Sequence, residues 1–147
     1  MTDMTILSME ALTRRIETVF RKGGLSPLHA AALSRVIAAG ERDGCKSHGV
    51  YRVEGCLRTI KAGKVSPDAE PILRDDGSAV LRLAAGGAFS CAGFELGALA
   101  LAERAKKLGL AALVINDCTH FSALWLEVEA LAGMGVEGIV DGQAVLA

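Results

Sequence analysis

The sequence predicts an α/β protein: an N-terminal helical segment over residues 1–65, then the first part of an α/β sheet domain over 66–147. Three observations carry this. Apolar residues recur at helical spacing, with glycine stops, through the first 63 residues. Composition changes at Ser66-Pro67 and Pro71, where two short apolar runs flank Asp75-Asp76-Gly77-Ser78. A long amphipathic helix and a strand-length apolar run follow, and helix and strand alternating at this spacing mark a βαβ unit.

Ile6 to Phe20 reads as the first helix, with Leu12, Ile16, Val19 and Phe20 on one face and Gly23-Gly24 as its stop. Ser26 is an N-cap with Pro27 at the first helical position of a second helix, Leu28 to Arg42, stopped by Gly44. Ser47 is the next N-cap candidate, for a helix from His48 to Ala62 with Val50, Val53, Leu57 and Ile60 on one face and Gly63 closing it. Ile72–Arg74 and Ala79–Leu83 form a hairpin. Phe89–Leu108 is a helix with Gly109 at C′, and Ala111–Asn116 is a buried parallel strand. A short helix begins at Phe121 or Ser122 and runs to Ala132, and Val136–Val140 is the next strand.

With 51% hydrophobic and 22% charged residues the chain is not intrinsically disordered. Sixteen basic and 17 acidic residues leave a net charge of -1, too balanced for nucleic acid as a partner or for a polybasic membrane anchor. Aromatics are only 4%, so the mean hydropathy of +0.36 comes from Ala, Leu, Val and Ile. No run approaches the length of a membrane span. Met1–Glu10 holds Asp3 and Glu10 and no basic stretch, so no signal peptide is expected. Cys45, Cys56, Cys91 and Cys118 form no C-x-x-C pair, so no metal site is expected and the thiols read as reduced, in the cytoplasm.

Ser47-His48-Gly49-Val50-Tyr51-Arg52 is the most chemically loaded segment. With Ser47 as cap, His48 falls in the first helical turn and Arg52, four residues on, shares its face. A helix N-terminus, an imidazole and a guanidinium together suit a small carboxylate, with His48 as proton donor. On spacing alone the plainer account is a capped surface helix with a solvated His and Arg.

The second segment is Asp117-Cys118-Thr119-His120-Phe121-Ser122-Ala123-Leu124, between the carboxyl end of a strand and a helix N-terminus, where α/β sheets bind ligands. Here too a plain reading stays open, with Thr119 a cap and His120 structural. No G-x-G-x-x-G follows a strand, and Ala85-Gly86-Gly87-Ala88 is only a turn-like echo of one. Trp125 reads as core or interface, and Glu127 and Glu129 as a solvated face.

The two segments together resemble the malate/L-lactate dehydrogenase family, which is distinct from the Rossmann-fold lactate dehydrogenases. The matching residues are Ser47 to Arg52, Lys61-Ala62-Gly63-Lys64-Val65, Pro67, Leu108-Gly109, Asn116 and His120-Phe121. Asn116 to Trp125 and Glu127 to Ala132 look most like its Δ1-piperideine-2-carboxylate/Δ1-pyrroline-2-carboxylate reductase branch. The resemblance implies an L-sulfolactate dehydrogenase-like fold and NAD(P)H-dependent reduction of cyclic ketimine carboxylates to L-proline or L-pipecolate. The implied cofactor is NADP (or NAD), the small-molecule partner a cyclic imine carboxylate or 2-keto acid, and the assembly a homodimer. Ser47 then belongs to a charge relay, His48 is the proton donor, Arg52 binds substrate, and His120, Phe121, Ser122, Ala123 and Leu124 bind the cofactor. Family chains continue past Val140 where Asp141–Ala147 here do not resemble them, so the chain reads as a truncated N-terminal fragment. The rival functions are a 2-hydroxyacid dehydrogenase of the same family and a non-catalytic fragment that acts in oligomerisation or binding.

Overall fold

A computed structural model describes residues 6–140. Its elements run α1 (Met9–Lys22), α2 (Pro27–Arg42), α3 (Arg52–Lys61), β1 (Ile72–Arg74), β2 (Val80–Ala84), α4 (Ser90–Leu108), β3 (Ala112–Asn116) and α5 (Trp125–Gly133).

The first two helices form an antiparallel pair that buries Ile16 and Phe20 of α1 against Leu33 and Ile37 of α2. α1 starts later than its apolar pattern suggests because Ser8 caps it, its Oγ accepting from the Ala11 N–H at 3.1 Å. α2 begins as expected, with Ser26 Oγ accepting from the His29 N–H and Pro27 at the first position. Small residues Ala30, Ala32 and Ala38 on α2 are fully packed, which lets neighbouring helices approach closely.

The expected helix from His48 is the main local correction. Residues 46–51 form successive turns, and α3 starts only at Arg52, with Tyr51 in the cap position and no side-chain cap. Ser47 is therefore not an N-cap, and His48 and Arg52 do not share a helical face. The backbone of this turn bonds elsewhere: His48 N–H donates to Cys45 O at 2.9 Å, and Val50 N–H to Glu41 Oε2 at 3.1 Å. Local turn bonds of this kind compete with helix formation.

β1 pairs antiparallel with β2 (Ile72 opposite Ala84), and β2 pairs parallel with β3 (Val80 opposite Ala112). The βαβ unit is β2–α4–β3. Leu81 and Leu83 of β2 point under α4 and are fully buried. Glycine brings helix and sheet together: a Cβ at Gly97 would lie 2.6 Å from Leu113 Cδ2. α4 ends at Gly109 in the left-handed conformation, φ 85°, as its position past the last apolar residue predicts.

Three further expectations change. β3 is parallel but not buried: its residues alternate exposed and half-buried, and Val114 is 41% exposed, because among the described residues only one sheet face is covered. Residues 121–124 are not helical; Leu124 sits at φ 52°, outside the helical region, so α5 starts at Trp125. No strand forms over 136–140, where Gly135 (φ 78°) turns the chain and irregular backbone follows. Residues 141–147, and with them the expected departure from the family pattern, lie outside the described residues. No helix among those described is long and apolar enough to cross a membrane.

Candidate functional site

The carboxyl ends of β2 and β3 deliver two loops side by side. Pairing continues beyond the strands, with Thr119 N–H donating to Ala88 O at 2.8 Å and Ser90 N–H to Thr119 O at 3.1 Å. Ser90, the first residue of α4, then grips the second loop. Its Oγ accepts from Phe121 N–H at 3.1 Å and donates to Phe121 O at 3.3 Å, while the Cys91 thiol donates to the same carbonyl at 2.9 Å. Burial pushes the Cys91 thiol far up from its ordinary range, so it acts there as a neutral donor. Phe121 is thereby pinned by its backbone, with its ring 5% exposed and edge-on to Phe89 at 6.2 Å.

The Ser-His turn is built onto the end of α2. Glu41 braces it, accepting from Lys46 Nζ at 2.5 Å as well as from Val50 N–H. These two bonds hold the Glu41 carboxyl below its ordinary pKa. Within the turn, Ser47 Oγ lies 3.0 Å from His48 Nδ1, and Cys45 Sγ lies 3.5 Å from the same nitrogen.

The two segments meet at Phe121. The half-buried His48 ring stands 6.4 Å from the Phe121 ring, and the Arg52 guanidinium carbon lies 5.4 Å from its centre. Arg52 is exposed and forms no salt bridge among the described residues. An imidazole and an unpaired guanidinium beside one aromatic wall can hold a planar anion, since the guanidinium fork matches a carboxylate. Ser47, His48, Arg52 and Phe121 are thus one cluster.

The rest of the second segment is arranged differently. Ser122 and Ala123 are buried, and Ser122 Oγ accepts from the Leu124 N–H at 3.1 Å. Leu124 is 37% exposed at positive φ, a strained conformation for a leucine. His120 is exposed and joins none of the hydrogen bonds or ring contacts among the described residues.

Sequence reasoning missed Asp43, Cys45 and the role of Trp125. The indole of Trp125 donates to Asp43 Oδ2 at 3.1 Å and lies edge-on to His48 at 6.4 Å. No spacing rule links residues so far apart in the chain. Glu127, expected on a solvated face, is 8% exposed, and its Oε2 has no hydrogen-bond partner. It turns toward α2 and α4 because the first turn of α5 packs there. It lines a cleft of about 480 Å³ with Met9, Val36, Phe94 and Leu126. That cleft holds neither His48 nor Arg52 and is not the chemical centre.

Comparison with known proteins identifies the family. Residues 7–144 match the model of the malate/L-lactate dehydrogenase family, and the chain belongs to that family. It is 60% identical over 141 residues to a Δ1-pyrroline-2-carboxylate reductase of Agrobacterium fabrum, covering 95% of this chain and 41% of the relative. The crystal structure of a Δ1-piperideine-2-carboxylate reductase from Pseudomonas syringae superposes with a TM-score of 0.86 at 32% identity, over 90% of this chain and 40% of the other. The fold is also that of the sulfolactate dehydrogenase of Methanocaldococcus jannaschii, with a TM-score of 0.75 at 19% identity over 85% of this chain and 36% of the other. The chain spans about two fifths of the length of the relatives it matches.

A dehydrogenase family implies a nicotinamide cofactor. The residues present fit one. α5 starts without a side-chain cap after the carboxyl end of β3. An uncapped helix start offers backbone N–H groups and a partial positive charge to phosphate.

Proposed function

We propose that this chain supplies the proton-donating and carboxylate-binding half of an NAD(P)H-dependent reductase of cyclic ketimine carboxylates. The substrates are Δ1-pyrroline-2-carboxylate and Δ1-piperideine-2-carboxylate, the products L-proline and L-pipecolate. The observation that carries this reading is the meeting of His48 and Arg52 at Phe121. The 60% identity to a named pyrroline-2-carboxylate reductase favours the ketimine over a 2-keto acid.

Reduction of the C=N bond needs a hydride at carbon and a proton at nitrogen. A reduced nicotinamide, when bound, supplies the hydride. His48 supplies the proton. In its doubly protonated form Nδ1–H donates to Ser47 Oγ, which fixes the ring and leaves Nε2–H for the imine nitrogen. Arg52 pairs with the carboxylate and sets the orientation of the ring. Phe121 excludes water from one side and holds the guanidinium over its face. His120, Phe121, Ser122, Ala123 and Leu124 line the cofactor side, with NADP (or NAD) as the dinucleotide. The same reading makes the protein a cytoplasmic homodimer, a setting that suits four cysteines free of disulfides.

The test is kinetic, in a full-length enzyme carrying this segment. Arg52→Ala should mainly raise KM, and His48→Ala should mainly lower kcat, by about 100-fold or more. His120→Ala should weaken NADPH binding. An unchanged kcat in His48→Ala removes the proton-donor role, and unchanged NADPH affinity moves the cofactor away from this loop.

A further inference from the structure

We infer that Asp43 and Trp125 are positioning residues for His48, acting as a latch that ties the start of α5 to the end of α2. This rests on the reading of His48 as proton donor. Asp43 caps the carboxyl end of α2, just ahead of the Ser-His turn. Its two oxygens take the Arg42 guanidinium as a fork, Nε to Oδ1 at 2.6 Å and Nη2 to Oδ2 at 2.8 Å. The oxygen Oδ2 also accepts from the Trp125 indole N–H at 3.1 Å. Arg42 leans in turn toward Glu129, one turn along α5, at 3.9 Å.

The geometry of the indole gives the latch its consequence. Trp125 meets His48 edge-on, 78° between ring planes, while Phe121 meets the same imidazole at 49°. The His48 ring thus neighbours Phe121 of the second loop and Trp125 at the start of α5, with Ser47 Oγ and Cys45 Sγ at its Nδ1. Rotation of the imidazole about χ2 would carry Nδ1 away from Ser47 Oγ and break the 3.0 Å contact. Phe121 has its own anchor in Ser90, but the indole N–H of Trp125 is held by Asp43. Loss of that bond frees the Trp125 ring and opens a second rotamer to His48.

Trp125 is the single tryptophan of the chain, so its fluorescence reports this contact without any need for turnover. A protonated imidazole in contact quenches indole emission. In the wild-type chain, emission should fall as His48 gains its proton, and His48→Gln should abolish the fall. Asp43→Ala should red-shift the emission and remove most of the quenching. Asp43→Asn, which keeps an acceptor for the indole while dropping the charge, should restore both. The imidazole signals of His48 in NMR should broaden or double in Asp43→Ala and remain single in Asp43→Asn. Far-UV circular dichroism checks that each variant is folded, and Asp43→Asn serves if Asp43→Ala is not. In a full-length enzyme carrying this segment, Trp125→Phe should lower kcat several-fold with little change in KM for the carboxylate.

A quenching step that survives His48→Gln, or an Asp43→Ala protein with wild-type quenching and a single His48 signal, overturns the latch. Either result leaves the proton-donor role standing. A latch that behaves as described, beside an unchanged kcat in His48→Ala, would instead refute that role.

Discussion

A Cβ atom on Gly40 would stand 2.7 Å from the carbonyl oxygen of His48 and 2.8 Å from its carbonyl carbon. The Ser-His turn lies directly on the backbone of α2, and a glycine in mid-helix is what allows it. Gly40 is itself buried, and its carbonyl accepts from the Cys45 N–H at 2.9 Å.

The first prediction concerns that contact. Alanine in a helix interior is favoured over glycine by about 1 kcal/mol. Overpacking against rigid backbone costs about 1–3 kcal/mol. The obstacle at Gly40 is backbone, so the clash should win. Gly40→Ala is expected to lower stability by about 1–2 kcal/mol in urea unfolding and to shift the NMR signals of residues 45–50. Unchanged signals there, with raised stability, would mean that the turn does not rest on α2.

Glu41 gives a dependence on acid. Lys46 and the Val50 N–H hold its carboxyl below the ordinary value in the folded chain. A depressed folded pKa contributes stability that is present above the unfolded pKa and is lost as pH falls through the folded one. The protection of the Val50 amide, taken relative to the intrinsic exchange rate at each pH, should therefore fall selectively as the solution is acidified below the ordinary carboxylate range. In Glu41→Ala that protection should be low at every pH. Strong protection of Val50 in that variant would show that another group holds the turn.

The Arg52–Phe121 contact predicts a graded loss of carboxylate binding. Phe121→Leu keeps an apolar side chain against Phe89 but removes the aromatic face, worth about two- to fivefold in affinity at a partly exposed site. Arg52→Lys keeps the charge and loses the planar fork, which should cost about tenfold or more. Titration with a cyclic amino acid such as L-proline, followed by calorimetry on a full-length enzyme carrying this segment, orders the two. Equal losses would place the carboxylate elsewhere.

Thiol labelling should divide the cysteines. Burial pushes Cys56 up to about 11 and Cys91 higher still, and both side chains are shielded from reagent. Cys45 is half-buried beside His48. Iodoacetamide at mildly alkaline pH should modify Cys45 well before Cys56 and Cys91, as read by peptide mass spectrometry. Early modification of Cys91 would mean that the Phe121 anchor opens in solution.

Local rules were enough for much of this molecule. Ser26-Pro27, Gly109 and the spacing of Ile16 and Phe20 placed α1, α2 and α4 to within a few residues, because caps, left-handed glycines and apolar periodicity act over one or two turns. The run Asp75 to Ser78 marked the hairpin for the same reason, its carboxylates bonding the backbone two residues on. The motif residues Ser47, His48, Arg52 and Phe121 were legible as types and as a resemblance. Their arrangement was not. Ser47 turned from a helix cap into the partner of His48 because Glu41 and Gly40 set the turn. Phe121 entered the cluster because Ser90 holds its backbone, and Trp125 because Asp43 holds its indole. Each of those bonds joins residues that only packing brings together. Periodicity and capping carry no information about such pairs, so the chemistry was written in the sequence while its geometry was decided by the tertiary fold.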